Sequence, residues 1–286
     1  MKIESNGITL HVEQRGAGDP SLVFLHYYGG SARTWKHVIA RLAPRFCTIA
    51  IDHRGWGESA APAEAYGLAD LAADAQGVIA ALALRCYVLV GHSMGGKVAQ
   101  LMGSRQPAGL AGLILVAPAP PCPMVMPARA REMLAGAYAT RETVQTAIDT
   151  VLTASPLSAE DREQVIMDSL RGAPAAKAAW PKSASLEDIA AEVGDINVPT
   201  LVIAGALDRV EPPIRLRTEL LPRIPQAVLR VLPDTGHLPM LESPDATAAL
   251  IADFCGNLMP TVRDTDPCSQ GGGRRPLAPH RRATAV

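Results

Sequence analysis

Short, continuously apolar runs recur along this chain, and each is followed by a segment of helical periodicity. Examples of such runs are residues 21–26 (SLVFLH), 86–90 (CYVLV), 112–117 (GLILVA) and 199–205 (PTLVIAG). Strands that are apolar at every position are buried on both faces, and helices in the connections provide that cover. The pattern therefore predicts an α/β fold, with a mostly parallel central sheet and helices on both faces. Asn6-Gly7, between two further strand candidates, predicts a two-residue hairpin turn.

Residues 119–197 break this rhythm. They open with the proline-rich stretch APAPPCPMVMP, which cannot continue a strand or a helix. Amphipathic helix candidates follow at 127–137, 141–153 and 158–171. We expect a helical cap at 119–197, inserted between the core segments 1–118 and 198–258. Residues 259–286 are rich in Gly, Pro and Arg and poor in large apolar side chains, which predicts a disordered tail.

The stretch VGHSMGGKV, residues 90–98, fits two motifs. As G-x-S-x-G it places Ser93 on the strand-to-helix turn called a nucleophile elbow. As G-x-x-x-x-G-K it approaches a phosphate-binding P-loop ending at Lys97. A P-loop also needs a Ser or Thr after the lysine to bind Mg²⁺, and Val98 stands there instead. The nucleophile elbow is therefore the stronger prediction.

A serine hydroxyl is a weak nucleophile at neutral pH, so it needs a base, and the base needs an acid that orients it. Downstream, Asp208 follows one predicted strand and His237 follows the next. A parallel sheet would bring both to its carboxyl edge, where such sheets bind ligands. Asp234 is a rival to Asp208, but it lies on the same loop as His237, and we favour Asp208.

Several ordered segments at predicted strand ends resemble the α/β-hydrolase superfamily over residues 1 to about 258. They are HYYGGS (26–31), DHRGWGES (52–59), GHSMGG (91–96), GALDRVEP (205–212) and TGHLPMLESP (235–244). Within the superfamily, the chain is most similar to the serine esterase, lactonase and cofactor-free haloperoxidase-like group.

The resemblance implies a triad of Ser93, His237 and Asp208 that cleaves a carboxylic ester or lactone through an acyl-enzyme. It implies no metal and no organic cofactor. The same triad also serves carbon–carbon bond hydrolases and perhydrolases, and a slow-turnover ligand receptor of the same fold is a further alternative.

The negative charge that develops during acyl transfer needs two backbone N–H donors. Met94, directly after the nucleophile, is expected to supply one of them. Motif matching assigns the second to Tyr28, with Tyr27 as the alternative. The superfamily usually has glycine directly after the histidine of this loop, whereas Tyr27 stands there in this chain. A bulky side chain restricts φ, so the sequence alone does not determine the path of the loop or decide between Tyr28 and Tyr27 as the second donor.

Large apolar side chains of the predicted cap are candidates for a substrate pocket. Together with Tyr27, the candidates are Met124, Met126, Tyr138 and Trp180. Packing within the cap is the alternative for each of them. Because the cap has mixed charges and no arginine cluster, we expect a neutral, moderately apolar small-molecule substrate.

Composition narrows the classes of protein further. A formal net charge of −1 lacks the basic surplus of a dedicated nucleic-acid binder. The 5 cysteines have no CxxC spacing, which disfavours a disulfide framework and a zinc site. Neither an N-terminal signal segment nor a long apolar run is visible, so we expect a cytoplasmic protein without a membrane span. Nothing in the sequence indicates the oligomeric state.

Overall fold

The computed structural model describes residues 1–258, and the predicted tail at 259–286 lies outside the described residues. The described residues form an 8-stranded sheet in the spatial order β1-β2-β4-β3-β5-β6-β7-β8. The strands are β1 Lys2–Ser5, β2 Ile8–Arg15, β3 Ser21–Leu25, β4 Thr48–Ile51, β5 Tyr87–His92, β6 Leu110–Val116, β7 Thr200–Gly205 and β8 Ala227–Leu232.

Strand β2 is antiparallel to both of its neighbours, and every pair from β4 to β8 is parallel. Strands β3, β4, β5 and β7 are buried at every position, as their continuous apolar sequences predict. The predicted fold class is therefore confirmed. The predicted hairpin turn is also present, with φ values of 49° at Asn6 and 77° at Gly7.

Helices fill the connections between the strands. The α-helices are α1 Lys36–Leu42, α2 Leu68–Ala81, α3 Met94–Ser104, α4 Ala128–Gly136, α5 Arg141–Ala147, α6 Ala159–Arg171, α7 Pro174–Lys182, α8 Pro213–Glu219, α9 Pro239–Glu242 and α10 Pro244–Leu258. Short 3₁₀ helices span Ala32–Trp35, Ala184–Leu186, Glu192–Asp195 and Leu221–Arg223. None of the helices in residues 1–258 combines the length and the apolar character that a membrane crossing requires.

Residues 119–197, called the cap segment below, contain helices α4 to α7 between strands β6 and β7. The helix expected at 141–153 is α5, which ends at Ala147 and continues into a π-helical turn, Ile148–Leu152. Helix α7 comes from an alanine-rich stretch without a clear apolar periodicity. Pro174 stands at its first position, where no N–H is needed and the fixed φ favours the start of a helix.

Candidate active site

Ser93 lies at the sharp turn between β5 and α3, with φ 51° and ψ −113°. A non-glycine residue in this conformation stores on the order of 1–3 kcal/mol of strain. Its neighbours permit the turn because they have no side chain: a Cβ on Gly91 would lie 2.4 Å from the Gly95 carbonyl oxygen, and one on Gly95 would lie 2.5 Å from that of Leu25. The strand-to-helix turn therefore projects the Ser93 side chain from a tightly packed backbone.

The structure brings Ser93, His237 and Asp208 together at the carboxyl edge of the sheet. The Ser93 hydroxyl donates to His237 Nε2 at 3.0 Å. On the other side of the ring, Nδ1–H donates to Asp208 Oδ2 at 2.8 Å. All three side chains are buried, and Ser93 has 8% of its surface exposed. This arrangement fixes the imidazole tautomer that can accept the serine proton.

Asp208 is held in place by the backbone that follows it. Its Oδ1 accepts hydrogen bonds from the N–H groups of Val210 at 2.7 Å and Glu211 at 3.0 Å. Burial alone would raise the pKa of the Asp208 carboxyl, but the His237 imidazole and these donors outweigh burial and lower it. The rival Asp234 is exposed. Asp208 is therefore an anion at neutral pH and contacts the ring directly.

The electrostatics of His237 suit a general base. Burial by itself would lower the pKa of the imidazole, but the Asp208 carboxylate outweighs burial and raises it above the ordinary 6.5. The backbone of His237 is fixed as well: its N–H donates to the Leu152 carbonyl at 2.9 Å, and its carbonyl accepts from His92 Nε2 at 2.7 Å. The backbone of His237 is thus anchored by both the cap segment and the end of β5.

Glu242, which the sequence analysis did not single out, organises the histidine loop. Its carboxylate accepts from the N–H groups of Gly236 and Leu238 at 3.0–3.1 Å, on either side of the histidine. It also accepts from Ala154 at 2.7 Å and Ser155 at 3.2 Å, both in the cap segment. The feature of the sequence that could have pointed to Glu242 is its position directly after the apolar run LPML.

Three other histidines near the site, His26, His53 and His92, are buried. His26 donates from Nδ1 to the Tyr27 carbonyl at 2.8 Å and accepts at Nε2 from the His53 N–H at 3.0 Å. Burial lowers the pKa of His26, His53 and His92, so each is neutral at pH 7. Among residues 1–258, no three His, Cys, Asp or Glu side chains are grouped so as to hold a metal ion.

The two predicted oxyanion donors lie on adjoining segments. Met94 is the first residue of α3, where helical N–H groups have no partner within the helix. Tyr28 lies in the loop after β3, and this loop packs on the start of α3, since a Cβ on Gly95 would be 2.6 Å from the His26 carbonyl oxygen. Within the described chain, neither N–H donates to a protein acceptor. Each of these N–H groups can therefore still donate a hydrogen bond.

Tyr27 is turned into the core beneath this loop. Its ring centroid lies 5.0 Å from that of His92, and a Cβ on Gly30 would lie 2.6 Å from the ring. The Gly30 N–H donates to the Tyr27 carbonyl at 3.0 Å, which closes the loop as a tight turn. The tyrosine that replaces the usual glycine is thus accommodated by packing under the loop.

A small cavity of about 10 Å³ lies beside the nucleophile elbow. Its walls are Trp56, Tyr66, Leu71, Met94, Ala176, Ala179, Trp180 and Ala184. Met94 connects the cavity to the elbow, and Trp180 comes from α7 of the cap segment. Trp56, Tyr66 and Leu71 come from the loop after β4 and from α2, so sequence reasoning about the cap segment could not reach them.

The other predicted pocket residues do not line this cavity. The Tyr138 ring packs 4.8 Å from the Tyr28 ring. Met124 is buried in the cap segment, and its carbonyl accepts a hydrogen bond from Arg131. Met126 is half-buried against the hydrophobic core. Tyr27 and Tyr138 thus pack beside the site, against His92 and Tyr28, whereas Met124 and Met126 belong to the hydrophobic packing of the cap segment.

Comparisons of the sequence and of the structure with known proteins give the same result. The chain matches the model of the alpha/beta hydrolase family over residues 22–250. It is 28% identical over 254 residues to the pimeloyl-[acyl-carrier protein] methyl ester esterase of Yersinia enterocolitica, covering 84% of this chain and 94% of that protein. It is 26% identical over 265 residues to the 2-hydroxy-6-oxononadienedioate/2-hydroxy-6-oxononatrienedioate hydrolase of Cupriavidus pinatubonensis, covering 87% and 91%. A thermophilic esterase from Thermogutta terrifontis superposes with a TM-score of 0.76 at 27% identity, covering 90% and 98%.

Proposed function

The chain belongs to the alpha/beta hydrolase family, and from that premise we propose that it is a serine hydrolase that cleaves a carboxylic ester or a lactone. The observation that carries this proposal is the unbroken contact from Ser93 Oγ to His237 Nε2 and from Nδ1 to Asp208, at 3.0 and 2.8 Å. The similarity to esterases of known sequence and structure supports an ester substrate.

In the first half of the reaction, the Ser93 oxygen attacks the carbonyl carbon of the substrate while His237 Nε2 takes the hydroxyl proton. General base catalysis of this kind contributes roughly 10²–10⁴-fold. The carbonyl electron pair moves onto oxygen, and the N–H groups of Met94 and Tyr28 hold the resulting oxyanion. Asp208 stabilises the imidazolium that forms. The tetrahedral intermediate collapses when His237 passes its proton to the departing alkoxide.

In the second half, water replaces the alcohol. His237 Nε2 removes a proton from the water, whose oxygen attacks the acyl carbon bound to Ser93. Collapse of the second tetrahedral intermediate releases the carboxylic acid and returns the proton to the serine oxygen. With a lactone, the leaving alcohol stays attached to the acyl chain, and the product is a hydroxy acid.

We also propose that residues 119–197 act as a cap over the site and help to select the substrate. The cavity beside Met94 is small and lined by apolar side chains, Trp180 of the cap segment among them. Such a wall favours an uncharged acyl group, because a charged group would lose its hydration without gaining a partner.

Substitution Ser93→Ala tests the mechanism. We expect the hydrolysis of p-nitrophenyl acetate to fall by at least about 10⁴-fold, together with loss of labelling by a fluorophosphonate probe. The matched control is Ser104→Ala at the end of α3, where the hydroxyl donates to the Leu101 carbonyl at 2.9 Å. A Ser93→Ala protein that is folded by circular dichroism and keeps the wild-type kcat would refute the proposal.

A carbon–carbon bond hydrolase is the second candidate, and the similarity to the Cupriavidus hydrolase favours it. Product analysis separates the two: an ester or lactone gives an acid and an alcohol, whereas a β-diketone is cleaved between carbons. The same panel with hydrogen peroxide detects a perhydrolase. A burst of product without steady turnover, together with ligand-dependent binding of a partner, would favour a slow ligand receptor.

A further inference from the structure

The loop after β3 is held by the cap segment at the point where it offers its oxyanion donor. The Tyr28 hydroxyl donates to the Lys177 carbonyl of α7 at 2.8 Å. The Ser169 hydroxyl of α6 donates to the neighbouring Gly29 carbonyl at 3.0 Å. Two consecutive residues of the loop are thus bonded to two different helices of the cap segment.

A third connection follows two residues later. The Ser31 hydroxyl donates to Asp168 Oδ2 of α6 at 2.8 Å, and Arg33 forms an ion pair with the same carboxylate. Asp168 is 2% exposed, so this contact is shielded from water. Charge-assisted hydrogen bonds of this kind are short and directional. The far end of the loop is therefore also fixed against the cap segment.

The ring of Tyr28, which connects its hydroxyl to its backbone, is held by packing. The ring centroid lies 5.5 Å from that of Trp56 in an edge-to-face arrangement and 4.8 Å from that of Tyr138. Tyr138 also covers the loop itself, since a Cβ on Gly29, which has a φ of 96°, would lie 2.4 Å from the Tyr138 ring. The contacts of the ring and of the hydroxyl together limit backbone rotation at Tyr28, and with it the direction of the Tyr28 N–H.

We propose that the Tyr28 hydroxyl is a positioning group, through which the cap segment sets the direction of the Tyr28 N–H toward the oxyanion. The inference rests on the serine-hydrolase function proposed above. It follows that a displacement of α7 weakens transition-state stabilisation as well as substrate access. Because an oxyanion donor acts on charge that develops only in the transition state, this contact acts on kcat more than on KM.

Tyr28→Phe is the direct test, because it keeps the ring and the N–H and removes only the hydroxyl. Loss of a complete oxyanion donor typically costs about 10²–10³-fold in kcat, and a misdirected donor should cost less, about 10-fold to 50-fold. We expect that decrease in the kcat for p-nitrophenyl acetate, with KM changed less than about 2-fold. The affinity for a boronic acid, which mimics the tetrahedral intermediate, should fall by the same factor as kcat.

Tyr87→Phe is the matched control, because Tyr87 is also a buried tyrosine but begins β5, at the opposite end of the strand from Ser93. It should retain wild-type kcat and boronic acid affinity.

Ser169→Ala removes the bond to the Gly29 carbonyl and should lower kcat in the same way, which provides a second test if Tyr28→Phe folds poorly. The inference is overturned if Tyr28→Phe has the same kcat and boronic acid affinity as Tyr87→Phe, or if only its KM changes. This reading requires that Ser93→Ala is inactive. If wild-type protein neither hydrolyses esters nor is labelled, the proposed function itself fails.

Discussion

At the scale of single residues, the proposed mechanism depends on how the charge of Asp208 changes the proton affinity of His237. A buried imidazole would lose its proton readily, yet the carboxylate 2.8 Å from Nδ1 keeps its pKa above the ordinary 6.5. A protonated imidazole cannot accept the Ser93 proton. Activity must therefore be lost as the pH falls through the pKa of His237.

We predict that kcat/KM for p-nitrophenyl acetate has an acidic limb with its midpoint above pH 6.5, since kcat/KM reports the free enzyme. Asp208→Asn removes the charge that favours the imidazolium, so the midpoint of the residual activity should move to lower pH, with kcat reduced by roughly 10⁴-fold. The midpoint and the decrease in kcat are both measured from initial rates between pH 5 and 9 at constant ionic strength. The rates are read at the isosbestic wavelength of nitrophenol. An unmoved midpoint in the variant would contradict the assigned role of Asp208.

The sequence indicated Ser93, Asp208 and His237, which are hydrogen-bonded in the structure, because each follows a strand and parallel strands end at one edge. Sequence reasoning could not reach the contact of the Tyr28 hydroxyl with Lys177, because those residues are 149 positions apart and no periodicity links them. It also could not tell which of two consecutive tyrosines faces the core. In a loop, unlike a strand, neighbouring side chains do not alternate in a fixed way.

At the scale of elements, continuous apolar sequence predicted the buried strands well, because burial on both faces leaves no choice of residue type. Prediction was weaker in the cap segment. Helix α7 was not predicted, since its alanines are small enough to pack on any side and leave no apolar stripe. The expected helix at 141–153 changes to a π-helical turn at Ile148, a change of backbone bonding that residue types do not specify.

One buried ion pair joins the loop after β4 to helix α2. Arg54, in the loop after β4, donates from Nε and Nη2 to the two carboxylate oxygens of Asp74 on α2, at 2.7 and 2.6 Å. Both side chains are nearly without solvent contact, at 3% and 1% exposed. Removing one charge of such a pair leaves the other buried without a partner.

Asp74→Asn should therefore lower the free energy of unfolding by about 3–5 kcal/mol, measured by urea denaturation at pH 7. Glu163→Gln is a matched control, because Arg141 binds Glu163 through two similar hydrogen bonds on the surface. The two side chains of that pair are 44% and 50% exposed, so solvent replaces the lost contact and the change should be small. Equal losses in both variants would show that burial does not determine the value of the pair.

At the scale of the whole molecule, side chains of the core bind the cap segment near both of its ends and in its middle. Lys97, the lysine of the rejected P-loop motif, donates from its buried Nζ to the carbonyls of Cys122 at 3.0 Å and Glu187 at 2.6 Å, near the two ends of the segment. Glu242 binds the middle of the segment to the histidine loop. The break in apolar rhythm predicted where the segment lies in the chain, but these side-chain bonds to backbone carbonyl and N–H groups have no sequence pattern.

The junction of the cap segment with the core also sets the size of the cavity, and Trp180 is the largest cap residue in its wall. We predict that Trp180→Ala shifts the preference toward longer acyl chains, raising the ratio of kcat/KM for p-nitrophenyl octanoate to that for the acetate by about 10-fold or more. Trp180→Phe, which removes less volume, should give an intermediate ratio. Leu186→Ala is the control, because Leu186 belongs to the same segment but is 39% exposed and does not line the cavity.

The ratio is the informative quantity because Trp180→Ala also removes a buried side chain, at a cost of about 3–5 kcal/mol in stability. Partial unfolding lowers the rates with both esters by the same factor and leaves their ratio unchanged. A larger cavity acts differently, since only the octanoate gains room for its chain beside Met94. A graded rise from wild type through Trp180→Phe to Trp180→Ala thus reports acyl-group selection by the cap segment, whereas a constant ratio would mean that the acyl chain lies elsewhere.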